Sequence, residues 1–160
     1  MIHFQSQWKN NLLVDLVEPH ITIKAQGGLT DDIGWIEKLQ RVCKDFSLFE
    51  VSVAEPMFFG ESVFFLSIKS DKIVEIHRNI VNEISPENEL IKKYMELDDY
   101  VPHLTLGQTF WGLSSEELKD MAKNIGQEPS PYPTFEVNYI RIYQEVETNR
   151  YVKYLDIPLG

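Results

Sequence analysis

Two short stretches of the chain alternate polar and apolar side chains with the period of a half-buried strand: Pro19-His20-Ile21-Thr22-Ile23 and Pro102-His103-Leu104-Thr105-Leu106. Each then gives way to helical spacing. After the first, Ile33, Ile36, Leu39, Val42 and Phe46 form an apolar stripe, with Thr30 as the expected cap and Asp31 and Asp32 in the first turn. After the second, Ser114 and Glu117 stand at capping-box spacing, and Leu118, Met121, Ala122 and Ile125 share one face before Gly126. A strand pair is expected after each helix. The first spans about 48–53 and 62–69, joined through Pro56 and Gly60; the second spans about 134–145 and 150–157, joined through Thr148-Asn149. A further helix over about 71–84 links the halves, followed by the polar run Ser85-Pro86-Glu87-Asn88-Glu89.

The order of elements repeats because the sequence does. His103 follows His20 by 103 − 20 = 83 residues, Gly112-Leu113-Ser114 follows Gly28-Leu29-Thr30 by 112 − 28 = 84, and Phe135-Glu136-Val137 follows Phe49-Glu50-Val51 by 135 − 49 = 86. Three matches in one order, with an offset that drifts only by small insertions, indicate a tandem duplication. The prediction is an α+β chain with a duplicated bilobal fold: two antiparallel sheets, helices outside and a central cleft. Residues 1–160 form one bilobal domain, lobe 1 over about 1–84 and lobe 2 over about 97–160.

Side chains two apart on a strand share a face, so His20 projects with Thr22 and His103 with Thr105. If the lobes pack about a pseudo-twofold axis, two imidazoles and two hydroxyls converge on one cleft. Cleaving a phosphodiester requires a proton to be removed from the attacking oxygen and another delivered to the leaving oxygen. Imidazoles do either near neutrality, and hydroxyls donate to the non-bridging phosphate oxygens. The same residue types also suit structural hydrogen bonding on a strand; the repetition in matched context favours chemistry. Lys24 and Gln26 continue the His20 face, and Lys24 is a candidate phosphate contact. Gly107 and Thr109 continue the His103 face, where Gly107 offers room for a substrate group. Phe59, Trp111, Tyr132 and Tyr143 are candidates to stack a base, Tyr143 foremost because its strand is expected to border the cleft. His77, on the apolar face of Ile73, Ile76, Ile80 and Ile84, is expected to be a partly buried structural histidine. Asp98-Asp99 is expected to be a solvated loop, and His3 is given no role.

Composition narrows the substrate. Of 160 residues 43% are apolar, enough for a core. No stretch approaches the roughly 20 apolar residues that span a membrane, and the first residues show no secretory pattern. A single cysteine, Cys43, leaves no internal disulfide and no cysteine-rich zinc site. A cytoplasmic location is therefore expected. The net charge of −10 disfavours binding along an extended nucleic-acid duplex, which takes many Lys and Arg contacts, but not capture of one terminal phosphate.

Two His-x-Thr motifs, one on each half of a duplicated chain, resemble the 2H phosphoesterase superfamily, the group of 2′-5′ RNA ligase-like proteins and cyclic phosphodiesterases. The resemblance implies catalytic roles for His20 and His103 and phosphate contacts from Thr22 and Thr105. The two-histidine arrangement itself calls for no metal and no cofactor, Lys24 and Tyr143 remain candidate substrate contacts from their strand positions, and the resemblance implies a small nucleotide or RNA terminus as substrate. A 2′,3′-cyclic phosphate or a 2′-5′ linkage is the class to test. Only 19 − 1 = 18 residues precede Pro19, and 5–17 reads as a single short element. The family pattern has a full strand and helix there, so the first lobe is expected to lack an edge strand and part of a helix. Two other functions use the same residues: a nucleotide or RNA-end binding module without turnover, and metal-assisted hydrolysis with both histidines as ligands. The second has an incomplete ligand set.

Overall fold

The computed structural model describes residues 1–126 and 132–160. Its elements in chain order are α1 (Ile2–Gln5), α2 (Leu13–Leu16), α3 (Trp35–Lys44), β1 (Phe49–Phe59), β2 (Val63–Lys69), α4 (Asp71–Ile84), α5 (Asn88–Lys93), β3 (His103–Gln108), α6 (Ser115–Ile125), β4 (Thr134–Val137), β5 (Tyr139–Glu147) and β6 (Arg150–Pro158). Four strands form an antiparallel sheet in the order β3-β2-β1-β4, and β5 and β6 form a second, two-stranded sheet. This is the α+β architecture with two antiparallel sheets that the alternating pattern predicts. One apolar cluster joins Leu39 and Cys43 of α3, Ile76 and Ile80 of α4, Leu118 and Met121 of α6, and Val51, Phe64 and Leu106 of the larger sheet.

α6 begins where its capping box predicts. The Glu117 N–H donates to Ser114 Oγ at 3.1 Å, and the Ser114 N–H donates to Glu117 Oε2 at 2.8 Å. α3 starts later than the apolar stripe suggests. Thr30 Oγ1 donates to the Asp32 carbonyl and the Asp32 carboxylate accepts from the Gly34 N–H, so these polar side chains build a turn instead of a helix cap. Ile33 is left outside the helix, 53% exposed. β1 runs on through Pro56 to Phe59. It does so by shifting register against β2 between Val53 and Pro56, an irregularity that accommodates a residue with no N–H to donate. The strand expected over 134–145 divides at Asn138. β4 joins β1, whereas β5 pairs with β6, and the Asn138 carbonyl accepts from the Leu159 N–H at 2.9 Å.

Repeated segments pair with their own counterparts. Glu50 stands opposite Glu136, flanked by Phe49 opposite Val137 and Val51 opposite Phe135. Ile21 forms an antiparallel bridge with Leu104. Equivalent positions thus face each other across a local twofold axis at two places, and the four-stranded sheet draws strands from both halves.

The first motif departs from expectation. His20 to Ile23 forms no ladder: Ile21 alone bridges, and the chain bends at Ile23. Side chains of the N-terminal segment occupy the neighbouring edge of β3. Gln5 Nε2 donates to the carbonyls of Thr105 and Leu106 at 3.1 and 3.4 Å, and Asn11 Nδ2 donates to Leu106 O at 3.1 Å. Both amides are buried and supply to these carbonyls the donors that a paired strand would otherwise bring. Trp8 Nε1 to Asp120 and Asn10 to Glu117 fasten the same segment to α6.

Gly107 makes room for the core and not for a substrate. A Cβ there would lie 2.5 Å from Leu113 Cδ1, 2.8 Å from Met121 Sδ and 3.1 Å from Leu118 Cδ2, so α6 packs directly on the bare strand. Gly107→Ala is therefore expected to destabilise the fold by about 1–3 kcal/mol through overpacking. The check is a lowered denaturant midpoint at unchanged slope.

Candidate active site

The Ile21–Leu104 bridge sets the geometry. On that register His20 lies opposite Thr105, and Thr22 lies opposite His103. Ile21, Ile23 and Leu104 pack on the apolar cluster, which turns the two histidines and two threonines to the other face. The two imidazoles stand close enough for the charge on His20 to act on His103. His20 and Thr105 line one small pocket together with Glu18 and Pro19. His20, Thr22, Thr105, Arg141 and Tyr143 border an open cavity of about 1240 Å³, and His103 lines neither it nor the small pocket.

Both histidines are held the same way. His20 Nδ1 lies 2.8 Å from the Glu18 carbonyl, and His103 Nδ1 lies 2.7 Å from the Val101 carbonyl. A carbonyl only accepts, so each Nδ1 carries the proton and each Nε2 is left free to take or give one. In both cases the carbonyl belongs to the residue before the motif proline. Proline fixes φ at that step, which keeps the preceding carbonyl over the ring. The repeated proline is the one local signal in the sequence for this role of Glu18 and Val101, neither of which stands out as a site residue by its type.

Each ring also meets an aromatic side chain from the other half of the chain. Phe59 lies edge-on to His103 at 5.1 Å between ring centres, and Tyr143 lies 5.8 Å from His20. The two aromatics are separated by 143 − 59 = 84 residues, within the repeat offset. Their surroundings differ in polarity. His103 sits against Phe59 and Phe65, and this burial holds its pKa below the ordinary value; the nearby His20 charge adds to the lowering, while the hydrogen bond to Val101 opposes it. His20 sits beside a charged network. Glu18 Oε1 accepts from Tyr143 Oη at 2.7 Å and from Arg141 Nη1 at 2.6 Å. Those two bonds keep the Glu18 carboxyl below its usual range. Arg141 in turn grips Asp156 through Nε and Nη2. One residue therefore ties the first motif to β5 through its carboxylate and orients His20 through its carbonyl.

Lys24 is not at the substrate's disposal. Its ammonium donates to the carbonyls of Ala25 and Gly27 and to Glu96 Oε1 at 2.9 Å, which uses all three protons, and its side chain is 7% exposed. The strand alternation pointed it into the cleft; because the segment bends after Ile23 instead of continuing as a strand, the side chain turns inward. Tyr143 lies beside His20, with its hydroxyl committed to Glu18. Of the other aromatic candidates, Phe59 stacks on Phe65 at 4.1 Å, Trp111 meets Phe110 edge-on, and Tyr132 packs against the core. Asp98 is 91% exposed and pairs with Arg78, the solvated arrangement anticipated for that loop. Among the described residues no three His, Cys, Asp or Glu side chains gather as a metal site needs.

His77, expected to be partly buried on its helix face, is buried completely. It is 1% exposed, donates from Nδ1 to the Ile23 carbonyl at 2.6 Å and accepts at Nε2 from the Leu97 N–H at 2.9 Å. Only the neutral ring can do both, and burial holds its pKa below the ordinary value. The sign follows. As pH falls below about 6.5 the unfolded chain takes up a proton that the folded chain refuses, so stability is intact above that value and declines below it. His103 acts in the same sense. A plot of Tm against pH should fall on the acid side, and less steeply in a His77→Phe variant.

The family model described as 2′-5′ RNA ligase superfamily matches residues 5–149. The chain belongs to the 2′-5′ RNA ligase superfamily. The match spans both His-x-Thr motifs and the strands between them, as the repeated pentapeptide implied. Membership in the 2′-5′ RNA ligase superfamily supports phosphodiester chemistry as the class of activity. The crystal structure of TT0787 of Thermus thermophilus is similar in fold, with a TM-score of 0.63 and 12% sequence identity, over 91% of this chain and 81% of that one. No curated protein matches this member of the superfamily. Among the described residues no helix is long and apolar enough to cross a membrane.

Proposed function

We propose that the protein is a metal-independent phosphodiesterase that hydrolyses a cyclic or 2′-5′ phosphodiester of a small nucleotide or RNA terminus. His20 and His103 form the acid–base pair, and Thr22 and Thr105 hold the non-bridging phosphate oxygens. The observation that carries this reading is the matched pair of Nδ1 hydrogen bonds, which leaves the Nε2 atom of each histidine free. His103 is the member kept neutral by its aromatic surroundings, which suits it to take the proton from the attacking water. His20, beside the Glu18 carboxylate, is then the acid that protonates the leaving oxygen. The P–O bond to that oxygen breaks as the water oxygen bonds to phosphorus, and a phosphomonoester is released.

The test is hydrolysis of a panel of 2′,3′-cyclic and 2′-5′-linked nucleotides, with and without chelator. Turnover of at least one member, unaffected by chelator, is the expected result; turnover that needs an added metal ion contradicts it. Thr105→Val removes one donor to the phosphate and is expected to lower kcat on the order of 10²-fold with the fold intact. A second reading, a binding module without turnover, draws on the single-bridge attachment of the first motif. Tight binding of a 2′,3′-cyclic or 2′-5′-linked nucleotide without product over long incubation would favour it.

A further inference from the structure

The three residues Thr22, Ile23 and Lys24 form no ladder, yet each is held by a side chain. Tyr100 Oη donates to the Thr22 carbonyl at 2.8 Å. His77 Nδ1 donates to the Ile23 carbonyl at 2.6 Å, and Lys24 Nζ reaches Glu96 Oε1 at 2.9 Å. The holding groups make one block. His77 stacks on Tyr100 with ring centres 3.8 Å apart and planes 10° from parallel, and the same imidazole accepts from the Leu97 N–H. Tyr100, His77 and Glu96 thus reach Thr22, Ile23 and Lys24 in order.

The turn that presents this block is strained. Met95 and Leu97 have φ of 53° and 59°, in the left-handed region that bulky side chains rarely adopt. Such residues persist only where surrounding contacts over-determine the backbone. Here the strain turns Glu96 inward, 3% exposed, and aims the Leu97 N–H at His77. Met95 itself is 62% exposed, so burial of its side chain does not account for the turn.

We propose that Tyr100, His77 and Glu96 are positioning residues for Thr22 and His20, a side-chain clamp that does for the first motif what pairing with β2 does for the second. β3 needs no such clamp because its backbone is paired with β2 from His103 to Gln108. The proposal rests on the phosphodiesterase reading above. Tyr100 is the sharpest handle on it: its hydroxyl fixes the carbonyl of Thr22, and so the direction in which that side chain and the neighbouring His20 project.

Tyr100→Phe keeps the ring stacked on His77 and deletes the hydroxyl alone. With the full chain and a substrate from the panel, kcat is expected to fall on the order of tenfold, the factor for one hydrogen bond, with KM within about twofold. In a background carrying both His20→Ala and Thr22→Ala the same change should add less than about twofold to the residual rate, because both groups it positions are gone. Backbone order over residues 20–24, read from amide NMR order parameters, should fall while that over residues 103–108 is unchanged. Lower order with unchanged kcat overturns the positioning role, and so does a loss that is fully additive with the double change. Equal order overturns the clamp itself. A wild type that turns over nothing on the panel is the failure of the phosphodiesterase reading, and the order parameters then decide the clamp alone: a fall confined to 20–24 supports it, unchanged values overturn it.

Discussion

His20→Ala and His103→Ala are each expected to lower kcat/KM by about 10²–10⁴-fold, the range for a positioned acid or base. The double variant should be little slower than the slower single one, because either change already disables a two-proton mechanism. Neither loss is expected to reflect unfolding. Both side chains stand half-buried at the site and outside the apolar cluster, so truncation opens no core cavity. Steady-state rates beside thermal melts of the same samples check both parts. Two losses that multiply in the double variant would mean that the imidazoles do not act on one bond.

Lys24→Met is expected to have the largest effect on stability. Its partner Glu96 has a side chain 2% exposed, and Glu96 Oε2 already lacks a hydrogen bond among the described residues. Removing the ammonium strands a buried carboxylate, which costs about 3–5 kcal/mol. At roughly 2–4 °C per kcal/mol for a chain of this size, Tm should drop by about 6–20 °C. Pairing the change with Glu96→Leu should recover much of the loss, since a buried ion pair replaced by apolar groups is often neutral. A Lys24→Met variant with unchanged Tm would show that the pair is open to water. Loss of activity in this variant at a temperature where it remains folded would further link Lys24 to the seating of the first motif.

The features readable from the sequence are those set by local rules. The capping box of Ser114 and Glu117, the apolar face of α4 and the pairing of His with Thr on one strand face depend on neighbours within a few residues. The repeat was equally legible, and the structure gives it meaning: Ile21 meets Leu104 and Glu50 meets Glu136, so the matched segments lie against each other. Polar alternation predicts which face of a segment is buried; it is silent on who supplies the backbone hydrogen bonds. That is why the first motif looked like a strand, although its partners are the side chains of Tyr100 and His77 and its would-be place beside β3 is filled by Gln5 and Asn11. The same blindness to distant partners hid the inward turn of Lys24 and the packing of α6 on Gly107. Glu18 and Arg141, remote in the chain and both exposed polar types, carried no local signal for their pairing; the structure joins them at 2.6 Å.

In the proposed mechanism two histidines, one in each motif, work as base and acid on one phosphodiester. The dependence of kcat/KM on pH, measured for the wild type and for each single histidine variant with the substrate turned over fastest, reads both groups at once. A bell is predicted for the wild type. Its acid limb should lie below about pH 6.5, because His103 must be neutral to act and burial lowers its pKa. His103→Ala should abolish the acid limb, and His20→Ala the alkaline one, in the residual rates. A bell that keeps both limbs in either variant would contradict the account.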